Sequence, residues 1–109
     1  MASDHKPPKT YQQFIARYPK LGEAWDNMTE AGEDGPLDDR TRRLVKLAVA
    51  IGAMRTGAVH SNVRKAIGMG ISREELEQVV ALGASTLGMP STVAVFSWVQ
   101  DLFDDSDST

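Results

Sequence analysis

Apolar residues recur along this chain at helical spacing, and no stretch shows the strict alternation of a half-buried strand. Tyr11, Phe14, Ile15 and Tyr18 fall at i, i+3, i+4 and i+7, one stripe of a short helix that Pro19 should end or redirect. Leu21, Ala24, Trp25 and Met28 repeat that spacing. The two stripes predict an N-terminal helical arm over residues 10–31, closed by the Gly-Glu-Asp-Gly-Pro turn cluster of residues 32–36.

A core over residues 37–103 should follow. Asp38 fits an N-cap, with Leu37 before it as a staple, and Leu44, Leu47, Ala48 and Ile51 form the apolar face behind it. A second core helix is expected from Thr56 to Met69, burying Val59, Val63, Ala66 and Ile67 and stopping at Gly68 and Gly70. Ser72 and Glu75 make a capping box for a third helix, whose stripe Leu76, Val79, Val80, Gly83 and Leu87 runs to Gly88. Pro90 opens a last helix carrying Val95, Phe96, Val99, Leu102 and Phe103, with Trp98 off the main stripe. The pattern predicts an all-α bundle of five to six helices in a single domain over residues 10–103, between a flexible tail at 1–9 and a disordered acidic tail at 104–109. So many helices in so short a chain cannot all bury wide apolar stripes, which predicts a homo-oligomer.

Composition narrows the chemistry. The formal net charge of −3 offers no broad basic field, so nucleic acid is not an expected partner. The apolar run at residues 44–54 contains Lys46 and is far shorter than the ~20 residues of a membrane span. No membrane association is expected, and a cytoplasmic protein is the default. The chain has no cysteine, so a disulfide, a thiolate nucleophile and a cysteine-ligated metal are all excluded. Its two histidines, His5 and His60, lack a second ligand at metal-binding spacing, and neither a metal nor a cofactor is implied. His5 is expected in solvent.

Four elements occur in an order and spacing that resemble the carboxymuconolactone decarboxylase and alkylhydroperoxidase D superfamily. They are Arg42-Arg43-Leu44, the helix end from Ala66 to Gly70, Glu74-Glu75-Leu76, and Gly88-Met89-Pro90. The resemblance covers residues 37–103 and implies that superfamily's helical bundle, here as a trimer or hexamer. Its peroxidase branch carries C-x-x-C-x-x-x-H with a glutamate upstream. An ungapped match places the two cysteines on Arg55 and Ala58, the histidine on Asn62 and the glutamate on Arg43. All four identities are missing, so no thiol peroxidase activity is expected. The decarboxylase branch, which the resemblance implies handles a small carboxylated lactone, has a histidine before V-R where this chain has Asn62-Val63-Arg64. A subgroup reading G-A-V-H-S-H is similar to Gly57-Ala58-Val59-His60-Ser61-Asn62, with one imidazole retained.

His60 is the candidate general acid/base, because imidazole alone among side chains ordinarily titrates near neutrality. It lies two residues, roughly 200° around a helix, from the face of Arg55, Ala58 and Asn62, and shares a side with Thr56 and Arg64. The competing reading is an interface or surface histidine bonded to a neighbour. Arg43 and Arg55 are the candidate ligand-binding pair, with neutral hydrogen bonds from Thr56 and Asn62, and two guanidiniums at one site would select a carboxylate. Against this, the arginines would extend to solvent or pair with Glu74, Glu75 or Glu77. Two functions stay open: a non-catalytic helical oligomer with a small polar pocket for a carboxylated molecule, and a cysteine-independent acid/base enzyme, decarboxylase- or lactone-directed, using His60.

Overall fold

The structure, a computed structural model, describes residues 8–107. His5 lies outside them, as does most of the expected N-terminal tail. Among the described residues there are seven helical segments and no strand: α1 (Lys9–Arg17), α2 (Pro19–Glu33), α3 (Asp39–Gly52), α4 (Thr56–Gly68), α5 (Arg73–Leu82), α6 (Ala84–Leu87) and α7 (Met89–Asp107). The all-α expectation holds, and the last helix runs through residues 104–107, beyond the boundary set at 103.

The chain divides into two compact units, meeting in sequence between Leu37 and Asp38, where a single domain was expected. The cause lies in what is buried. The first unit buries only Gly22 of α2, whereas every residue of the hydrophobic core comes from the second. In the first unit Pro19 takes the first turn of α2, where its missing N–H costs nothing. A Cβ on Gly22 would stand 3.2 Å from the Ile15 Cβ, so a side chain there would press on α1 and the close crossing of α1 and α2 favours glycine. The large apolar side chains of the arm stay open, with Trp25 55% and Met28 62% exposed.

The second unit is built on α3, α4, α5 and α7. Leu47 and Ile51 of α3, Val59, Val63 and Ala66 of α4, Leu76 and Val80 of α5, and Val95 and Val99 of α7 form its buried core. Asp38 caps α3 by accepting the Thr41 backbone N–H at 2.8 Å. Bonds from the Thr41 backbone and side chain hold the Asp38 carboxyl below the ordinary aspartate range. Ser72 and Glu75 form the expected reciprocal capping box on α5.

Three local outcomes differ from the pattern. The helix expected from Ser72 to Gly88 is broken at Gly83 into α5 and α6, and Gly88, unlike Gly83, has a positive φ, 84°. The α3–α4 turn places Met54 at φ 55°, a conformation that costs a non-glycine residue about 1–3 kcal/mol, and the packing of its side chain on the core offsets that cost. Trp98, expected off the stripe, packs against the core beside Phe96 and Leu102.

Candidate functional site

Because α3 and α4 form a helical hairpin around a short turn, residues near the start of α3 stand level with the second half of α4. Arg43 and Asn62 meet across that seam: the Arg43 Nη1 donates to the Asn62 Oδ1 at 2.7 Å in a partly buried position. Asn62 in turn donates from Nδ2 to the Ala58 carbonyl at 2.9 Å, which fixes its amide. The Arg43 Nε is shut away from solvent. The positions that the superfamily match assigned to glutamate and histidine are therefore in contact here, as arginine and asparagine.

The charge around that pair was only partly foreseen. Withdrawal from solvent, and then the positive charges of Arg43, Lys46 and Arg64, push the Lys65 ammonium below the ordinary lysine range. Among the described residues no carboxylate is in ion-pair contact with Lys46, Arg64 or Lys65. The acids near the start of α3 are engaged with its backbone and with Arg40 and Arg42. Asp38 caps the backbone, Asp39 pairs with Arg42, and Arg40 pairs with Glu75 of α5. The α3·α4 seam is left strongly cationic, with one guanidinium already oriented.

Arg55 and Thr56 do not join this cluster closely. They open α4, Arg55 as its N-cap, seven residues before Asn62 and so about 10 Å away along the axis at ~1.5 Å per residue. Both are exposed. His60 faces α7 instead, where its Nε2 stands 3.2 Å from the Oδ2 of Asp101. Its side chain is 28% exposed. Sequence reasoning missed Asp101, because the pairing spans 41 residues and depends on how α4 packs on α7. His60 and Asn62 thus lie on opposite sides of one helix.

A cleft of about 610 Å³ opens on another face, between α3, α5 and α6. Val45, Ala48, Val79, Leu82 and Leu87 line it, with Arg40 and Glu75 at the rim. Arg43, Arg55, Thr56, His60 and Asn62 do not. The polar residues and this cleft are therefore separate. Met54 packs on the core, while Met69 and Met89 are exposed. Among the described residues no group of three or more histidine, aspartate or glutamate side chains could hold a metal ion, and no helix is long and apolar enough to cross a membrane.

Comparison with known proteins agrees with this architecture. The model of the carboxymuconolactone decarboxylase family matches residues 19–101. The chain is 25% identical over 95 residues to a 4-carboxymuconolactone decarboxylase of Acinetobacter baylyi, a match covering 87% of this chain and 65% of the length of that relative. Its fold is similar to that of a carboxymuconolactone decarboxylase family protein from Legionella pneumophila, solved in its apo form. The TM-score is 0.75 at 22% identity, over 84% of this chain and 82% of the other.

Proposed function

The chain belongs to the carboxymuconolactone decarboxylase family, and from that membership we propose that it is a non-redox, self-associating helical protein of the cytoplasm whose α3·α4 seam binds a small carboxylate. The observation that supports this reading is the contact of Arg43 with Asn62, one turn of α4 from Lys65, whose proton affinity is weakened by withdrawal from solvent and then by the positive charges of Arg43, Lys46 and Arg64. An anion seated there would relieve that repulsion, and the Arg43 guanidinium is held in place to meet a carboxylate. Without cysteine the dithiol chemistry of the superfamily's peroxidases has no nucleophile. Self-association, as a trimer or hexamer, draws support from the large apolar residues left open on the bundle, Val49 at 66% and Leu82 at 70% exposure among them.

Calorimetric titration of the full chain against small aromatic and lactone carboxylates tests the ligand. Saturable binding is expected, weakened at least about tenfold by Arg43→Ala, since a hydrogen bond to a charged group contributes ~1.5–3 kcal/mol. Arg43→Lys should fall between, because a point charge replaces a planar fork. No saturable heat across the panel would remove the proposal. Turnover of a hydroperoxide with a thiol reductant above the uncatalysed rate would overturn its non-redox part.

A second reading is favoured by one contact, that of His60 with Asp101. A carboxylate at 3.2 Å orients the imidazole, as an acid/base catalyst requires. On that reading the protein is a decarboxylase- or lactone-directed enzyme, and conversion of a carboxylated lactone is abolished in His60→Gln. The separation of His60 from the cationic seam weighs against it, since substrate bound at Arg43 would face away from the imidazole.

A further inference from the structure

Asn62 uses both ends of its amide. Its Nδ2 donates to the Ala58 carbonyl one turn back on α4 at 2.9 Å, and its Oδ1 accepts from the Arg43 Nη1 of α3 at 2.7 Å. The first bond fixes the second. With the NH2 group tied to its own helix, the oxygen is the end that faces α3, and the guanidinium that meets it loses rotamer freedom. The residue type matters as much as its place. A carboxylate would be the stronger acceptor for a guanidinium, but it would cancel the charge it orients. An ionised carboxylate would also have no hydrogen to give the Ala58 carbonyl. The amide orients Arg43 without adding a negative charge to the contact. Along the same seam, withdrawal from solvent and then the positive charge of Arg43 lower the proton affinity of Lys65.

We infer that Asn62 is the positioning residue of the carboxylate site: it holds the Arg43 guanidinium in one orientation and leaves the binding of the carboxylate to Arg43. This rests on the carboxylate-binding reading above and names what orients that site. The test is calorimetric titration of the full chain with benzoate, in variants that keep the wild-type circular dichroism. Asn62→Ala should weaken binding about fivefold, since the guanidinium must then be ordered by the ligand itself. Asn62→Asp, of the same size, should weaken it at least about tenfold, because the new carboxylate competes with benzoate for Arg43. In an Arg43→Lys background, Asn62→Ala should cost less than about twofold, because a point charge has no fork to orient. A merely structural role for Asn62 would not depend on that background. Absence of saturable benzoate binding by the wild-type chain, or binding that Arg43→Ala leaves intact, would overturn the carboxylate reading and this inference with it. Binding that Arg43→Ala weakens and Asn62→Ala does not, or an equal loss from Asn62→Ala in the Arg43 and Arg43→Lys backgrounds, would overturn the positioning role alone.

Discussion

On one side of α4, Asn62 meets Arg43 in a partly buried position; on the other, His60 meets Asp101 within reach of solvent. The two residues are neighbours but one in sequence, and the helix turns them roughly 200° apart. The α3 side is a constrained, partly buried contact beside the lysine whose proton affinity is lowered. The α7 side has the form of an ordinary surface contact, which contributes ~0–1 kcal/mol. The lesson is that two polar residues on one short segment need not serve one site.

Three substitutions probe that contrast. Val63, fully buried in α4 near both faces, holds the helix to the core. Val63→Asp should cost more than about 4 kcal/mol by burying a charge without a partner, and chemical denaturation should show both faces lost together. If only one face were lost, the two would not share a cooperative scaffold.

Lys65→Gln should raise the melting temperature at pH 7 by relieving repulsion at the seam. The sign follows from the lowered folded-state pKa. Holding the proton is harder in the folded protein, so the penalty is complete below the folded pKa and fades as pH rises from there towards 10.5. The gain from Lys65→Gln should therefore shrink near pH 10.5, and also in high salt, which screens exposed charge. A gain that ignores both pH and salt would show that packing, not charge, sets the character of the seam.

His60→Ala should have the smallest effect, under ~1 kcal/mol in stability, and should leave carboxylate affinity unchanged. A large loss of affinity in that variant would join the two faces into one site.

Much of this was legible in the chain. The 3.6-residue spacing located the principal helices, and Asp38 and Ser72 marked two helix starts, because caps and stripes are local features. The break at Gly83 was not legible, since the stripe from Leu76 to Leu87 continues across it and glycine alone does not fix where a helix bends. The contacts of the candidate residues were half legible. The superfamily match brought out Arg43 and Asn62, and the helix angle separated His60 from them. Lys65 and Asp101 were missed because their importance comes from tertiary neighbours: Lys65 from cations on both α3 and α4, Asp101 from the docking of α7 on α4. Arg55 opens α4 seven residues before Asn62, about two turns away along the axis.

The most direct measurement is a residue-resolved nitrogen-15 NMR titration of the full chain with benzoate as the probe carboxylate. The account predicts saturable shifts centred on Arg43, Lys65 and the side-chain amide of Asn62, with His60 and Asp101 unmoved. Shifts centred on His60 and Asp101, or confined to the α3/α5/α6 cleft, would contradict it.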